Sequence, residues 1–233
     1  MRRISVSVIA IFLACPTFAS SESREEKRLE NCGQVFKEIM DIPDGIPKDL
    51  LNKAECIIVI PSVLKFAMGI GGDFGRGAII CRTGQHFRGP WSAPALFALE
   101  GANIGFQLGG QATDFVLLVM NPRGANSILS SKVKLGADAS AAAGPVGRHA
   151  SADTDWKLNA EILTYSRAKG IFAGLTLNGA AVHRDDDSMK AIYGPGFSTR
   201  TVLDGGVPPT PGAEPFLSAV HGARAQARAA AAQ

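Results

Sequence analysis

The chain has 233 residues, 46% hydrophobic and 19% charged, a balance that excludes a disordered polymer and fits one domain with extensions. Its formal charge of +3 is too small and too scattered for the concentrated basic footprint that nucleic acid needs, so no nucleic-acid partner is expected. Aromatic residues make up only 7% while glycine numbers 26, so the core must gain stability from close backbone approach and not from bulk.

The start, "MRRISVSVIAIFLACPTFAS", has the pattern of a secretory signal peptide: Arg2 and Arg3, an apolar stretch over 4–14, then small residues. The stretch is too short to span a bilayer. Cleavage after Ala19 is expected, with lipidation at Cys15 the less favoured alternative, so the protein should be periplasmic or secreted. Losing residues 1–19 leaves 22 of the 24 basic residues against 21 acidic ones, about +1.

Residues 22–40 predict a helix with Leu29, Cys32, Phe36, Ile39 and Met40 on one face. Pro43 and Gly45 break it, and Pro47 opens a short second helix. "CIIVIP" predicts a buried strand ended by Pro61. "KFAMGIGGDFGRGAIICR" predicts a hairpin turning at Gly71-Gly72-Asp73, followed by a loop. From Trp91 to Met120 a long stretch of strand is expected, with Gly109-Gly110 either a tight turn or, the favoured choice, a bulge that bends one long strand. One or two helical turns follow Asn121-Pro122, then a strand of small residues. Residues 159–184 predict two strands joined near Ala168-Lys169-Gly170, and a short helix over 185–193 is expected to have an Asp cap. Three segments result: the signal peptide over 1–19, a folded domain over 20–200, and a Pro/Ala-rich linker with a poorly ordered tail over 201–233. Without Cys15 three cysteines remain. Cys56 and Cys81 either pair or stay as free thiols, and Cys32 is left over.

Enzyme signatures fail one by one. Gly72, Gly75 and Gly77 give the dinucleotide glycines in reverse order with no helix after them. Ser166 and Lys169 match S-x-x-K without its companion motifs. His86, His149, His183 and His221 show no metal spacing, and "HRDDD" is explained by helix capping. Glu100 and Asp114 lie in apolar sequence, which could raise a pKa for acid–base chemistry, but neither has an evident companion. An unrecognised hydrolase using one of them is the third-ranked reading. No catalytic residue, metal or cofactor is expected.

The blocks "WSAPALFALEGANIGFQLGGQATDFVLLVMN", "KLGADASAAAGPVGR" and "AEILTYSRAKGIFAGLTLNGA", in that order, closely resemble the SYLF domain family, which includes bacterial lipid-binding proteins and Las17-binding actin regulators. "IPKDLLNKAECIIVIP" and "GIGGDFGRGAIICR" fit its first half, so the resemblance covers about residues 25–195. It implies phospholipid binding, phosphoinositides included in eukaryotic members, actin association in some of those, and no cofactor. It also implies that the amphipathic segment over 24–40 engages lipid.

Of that segment, Leu29, Phe36, Ile39 and Met40 are the candidates for insertion. Its charges cancel, since Arg24, Lys27, Arg28 and Lys37 face Glu25, Glu26, Glu30 and Glu38. Lys65, Arg76, Arg82 and Arg88 are the candidate headgroup contacts. An envelope protein would not meet cytoplasmic actin, so actin association is not expected, and no protein partner is named. Gln107, Gln111, Thr113 and Asp114 are expected to complete a sheet, with Asp114 a structural acid accepting hydrogen bonds.

The expected fold is α+β: a curved, mainly antiparallel glycine-rich sheet or open barrel with two N-terminal helices and a short C-terminal one. The expected function is a non-catalytic, secreted or periplasmic phospholipid-binding module at an envelope membrane. A structural or protein-interaction module of the envelope is the alternative.

Overall fold

The computed structural model describes residues 23–231, apart from 44, 106–110, 131, 147–159, 169–170, 175–176 and 178. The expected signal peptide over 1–19, Cys15, Gln107, Gly109-Gly110, His149 and Lys169 therefore lie outside the described residues.

Helix α1 (Arg24–Met40) starts at Ser23, whose side chain accepts from the Glu26 N–H while Glu26 reaches back to the Ser23 N–H. This reciprocal cap satisfies two backbone donors that a helix start otherwise leaves open. Leu29, Cys32, Phe36 and Ile39 are fully buried. At ~1.5–3 kcal/mol for each large side chain removed from water, their stripe docks the helix. Helix α2 (Lys48–Lys53) follows Pro47, as the sequence predicts.

Strand β1 (Cys56–Cys81) runs out and folds back. Its ends carry the Cys56–Cys81 disulfide, with Cα atoms 4.0 Å apart, which settles the open choice between paired and free thiols. The outgoing arm pairs with β3 (Gln111–Val119) and the returning arm with β2 (Ala95–Gly105), both antiparallel. Glycines let the arms approach: a Cβ on Gly77 would overlap the Val59 carbonyl, and one on Gly75 would strike Val63 and Ile60.

Three strand expectations change here. Gly71, Gly72 and Asp73 do not turn; they pair with Asn103, Ala102 and Gly101 within the sheet. Pro61 does not end the strand, because a register shift between Ile60 and Val63 carries the chain past it with Ser62 at φ 49°. The stretch from Trp91 to Met120 is two strands on opposite sides of β1, not one bent strand.

Helix α3 (Pro122–Ile128) is capped by Asn121. Strands β4 (Lys132–Lys134), β5 (Ala141–Ala143), β6 (Ile162–Ala168), β7 (Ile171–Gly174) and β8 (Ala181–Arg184) complete an α+β fold whose curled sheet forms a half-barrel. The order is β4-β8-β2-β1-β3-β6-β5, with β7 on β6, and the β5–β6 pair is parallel. Helix α4 (Asp186–Tyr193) has Asp185 as its cap, as expected.

The tail differs from its expectation. Helix α5 (Thr199–Leu203) crosses the proposed boundary at residue 200, and α6 (Glu214–Ala231) packs on α1 and α2. Phe216, Leu217, Val220 and Ala223 form its buried stripe, and the Phe216 ring meets Phe36 edge-on at 6.3 Å. A composition dominated by alanine hid that spacing.

Candidate functional site

Alternation along β1 sends Val63 and Gly75 inward and Leu64, Phe74 and Arg76 outward. Leu64 is 57% exposed and Phe74 46% exposed, which is unusual for large apolar side chains on a paired strand. Between them and the first turns of α1 lies a groove of about 600 Å³. Arg24, Lys27 and Asn31 line its helical side, Pro61 and Ser62 its bulge, and Gly75 and Arg76 its strand side. Arg24, Lys27, Arg28 and Asn31 fall at helical spacing, so one face of α1 turns toward the groove. No carboxylate lines it among the described residues.

Arg28 is held in place. Its Nη1 donates to Asp185 Oδ2 at 2.9 Å and its Nη2 to Ser188 Oγ at 3.2 Å. Burial works against the Asp185 carboxylate, but hydrogen bonds from Ser188 and the Arg28 guanidinium outweigh it and hold its pKa below the ordinary aspartate value. Arg76 reaches the same carboxylate at 3.8 Å, and its guanidinium lies 5.7 Å from the Phe74 ring centroid.

The far end of α1 is also fastened. Arg167 bridges Glu38 at 2.6 Å and Asp114 at 2.8 Å. Asp114 also accepts from the Ser62 N–H at 2.9 Å, so it is the hydrogen-bonded acid the sequence predicts. Thr113 and Gln111 lie in the same strand, and the Thr113 side chain is buried. Glu100 pairs with His183 at 3.3 Å and Lys132 at 3.8 Å. Both candidate acids thus have cationic or donor partners. Among the described residues no group of three or more His, Cys, Asp or Glu side chains could hold a metal ion.

The expected site residues disperse. Leu29, Phe36 and Ile39 are core, and Met40 is partly buried against it, so this stripe faces the protein and not the surface. Lys65 pairs with Gln111 through the backbone, and its side chain lies outside the described residues. Arg76 lines the groove. Arg82 lies beside the disulfide with its guanidinium 5.7 Å from the Trp91 ring, about 20 Å from Arg76 along the strand, and exposed Arg88 follows it. The four basic residues are therefore not one patch. Leu64 and Phe74 escaped the sequence reading because only the folding back of β1 brings them together, and Arg24 and Lys27 because α1 was weighed by its total charge. Dividing its charges by face separates the basic turn.

Residues 100–223 match the family described as Ysc84, Las17-binding protein actin regulator. The chain is 33% identical over 206 residues to LAS seventeen-binding protein 3 of Saccharomyces cerevisiae, covering 87% of this chain and 44% of the yeast protein. It is 29% identical over 205 residues to protein YSC84 of the same yeast, covering 87% and 43%. With SH3 domain-containing YSC84-like protein 1 of Xenopus laevis it shares 28% over 186 residues, covering 77% and 52%. The chain spans less than half the length of the yeast relatives it matches. These names overturn the partner expectation. They describe protein and actin-related partners, not phospholipid, so actin association can no longer be set aside for this chain.

Proposed function

The chain belongs to the Ysc84 family of Las17-binding actin regulators, and from that premise we propose that it is a non-catalytic module that binds a protein partner. The observation that carries this reading is the groove between α1 and β1, where exposed Leu64 and Phe74 lie beside Arg24, Lys27 and Arg76. Apolar area beside fixed charge is the composition of a protein-binding hot spot. The Asp114–Arg167 and Glu100–Lys132 ion pairs support a structural use of both acids. We place the module in an oxidising compartment, periplasmic or secreted; the Cys56–Cys81 disulfide and the sequence pattern of residues 1–19 support that placement.

Co-sedimentation of the purified full chain with actin filaments, and pull-down with purified Las17, test the reading beside flotation with phospholipid vesicles. Saturable binding to at least one of the two proteins is expected. Flotation with vesicles and binding to neither protein would overturn it.

A further inference from the structure

We propose that residues 207–211, "VPPTP", form a docking ligand for the aromatic-lined groove of a proline-recognition domain of the SH3 or WW type. The segment joins α5 to α6 and lines no part of the α1–β1 groove, so the inference goes beyond the reading of that groove. Its prolines set its shape. Their rings hold φ at about −65° at Pro208, Pro209 and Pro211. Each also pushes the residue before it, namely Val207, Pro208 and Thr210, towards extended backbone. Thr210 has φ −76° and ψ 161°, the polyproline II conformation. That helix has three residues per turn, so Pro208 and Pro211 share one edge, ~9 Å apart. All three prolines are exposed.

The chemistry of the segment selects the partner. Among the described residues no backbone–backbone hydrogen bond reaches residues 207–209, and Pro208 and Pro209 carry carbonyls without an N–H. A partner must therefore bring donors for the carbonyls and flat apolar faces for the rings. Indole and phenol side chains bring both. A strand cannot pair here, because proline gives nothing to a ladder. Charge does not select either, since residues 205–213 carry none. Grooves lined by aromatic side chains take P-x-x-P segments because a preformed polyproline II helix has little freedom left to lose.

The fold presents the segment ready-made. Val202 and Leu203 are buried before it, Val207 packs partly against the core, and Gly212 and Ala213 are buried after it. The Gly206 N–H donates to the Thr201 carbonyl at 2.9 Å, and the Ala213 N–H to the Thr210 carbonyl at 3.0 Å. Gly212 lies so close to α1 that an added Cβ would come within 2.6 Å of Glu26 Cβ. Two fixed ends and three rings cut the ordering cost of binding.

The test titrates the full chain into a panel of purified, isotope-labelled SH3 and WW domains, with amide shifts to locate the contact and calorimetry to measure affinity. Saturable binding to at least one domain is expected, with the shifts confined to its aromatic groove. A proline-rich peptide ligand of that domain should displace the chain. Pro208→Ala and Pro211→Ala should each weaken binding about fivefold or more, as the loss of an anchor does. Pro195→Ala, which removes an exposed proline outside the segment, should leave it unchanged. Circular dichroism of each variant confirms the fold.

Binding to none of the domains, undiminished binding by a folded variant with both prolines replaced, or shifts away from the aromatic groove would overturn the proposal. If every domain fails while the chain still binds actin filaments or Las17, this inference falls and the protein-binding reading stands. Domain binding through the prolines supports the inference whether or not actin filaments and Las17 bind.

Discussion

Arg28 and Asp185, 157 positions apart in the chain, meet at 2.9 Å with side chains only 9% and 10% exposed. Their pairing closes α1 onto the start of α4 and fixes the helical wall of the groove. Taking Asp185 away leaves Arg28 buried without this carboxylate, and taking Arg28 away leaves Asp185 with the Arg76 guanidinium at 3.8 Å; breaking a buried pair in this way costs ~3–5 kcal/mol. Arg28→Met and Asp185→Leu should each lower the unfolding free energy by about 3 kcal/mol in urea titrations. The double variant, which buries no charge, should regain at least half of that loss.

The same pair sets the acid limb of stability. The folded pKa of Asp185 is depressed by Ser188 and Arg28 against burial, and that of Glu38 by Gln34 and then Arg167. A depressed carboxylate contributes stability above its unfolded pKa of about 4 and loses it as pH falls through the folded value. Glu55 has the opposite sign: burial raises its pKa, so protonation on acidification favours the folded state. Thermal melts from pH 7 to pH 2 should therefore fall mainly below about pH 4. Asp185→Asn should start lower at pH 7 and show a shallower acid limb. A limb of unchanged depth would assign the acid sensitivity elsewhere.

Gly33 faces the first turn of α6 so closely that an added Cβ would lie 2.6 Å from the Phe216 nitrogen and 2.6 Å from the Pro215 carbonyl carbon. Backbone cannot step aside as a flexible side chain can. Gly33→Ala should therefore cost stability, by roughly 1–3 kcal/mol, although alanine favours a helix over glycine. Phe216→Ala, which empties a fully buried site against Phe36, should cost about 3–5 kcal/mol. Urea denaturation of both variants measures whether α6 belongs to the cooperative unit. If neither change moves the midpoint, the tail is an appendage.

Much of the fold was legible because local chemistry and final structure agree. The stripe of Leu29, Phe36 and Ile39, the opening at Pro47, the Asp185 cap and the antiparallel pair around 168–170 all follow from neighbours within a few residues. The strand misses share one cause, since each was decided by distant partners. Gly71-Gly72-Asp73 resembles a turn, but β2 pairs with it and extends it. Pro61 resembles a stop, but the Asp114 carboxylate accepts the following N–H and carries the strand onward. The groove was hidden for the same reason. Leu64 and Phe74 lie ten positions apart, and only the folding back of β1 puts both beside Arg24 and Lys27.

Asp114 offers the sharpest separation of a structural acid from a catalytic one. Its two oxygens do different work: Oδ1 accepts from Ser62 at the bulge, and Oδ2 pairs with Arg167, which in turn holds Glu38 on α1. Asparagine can keep the acceptor for Ser62 but loses the charge opposite Arg167. Alanine loses both, and leaves a left-handed Ser62 backbone without the acceptor that stabilises it. Asp114→Asn should therefore cost ~1–2 kcal/mol, within the range for a hydrogen bond to a charged group, and Asp114→Ala about 3 kcal/mol or more. Arg167→Met in the Asp114→Asn background should add less than it does alone, because the two act through one contact. Equilibrium unfolding of the four chains gives the coupling directly. Equal stability for all of them would remove Asp114 from the framework and return it to the list of candidate acids.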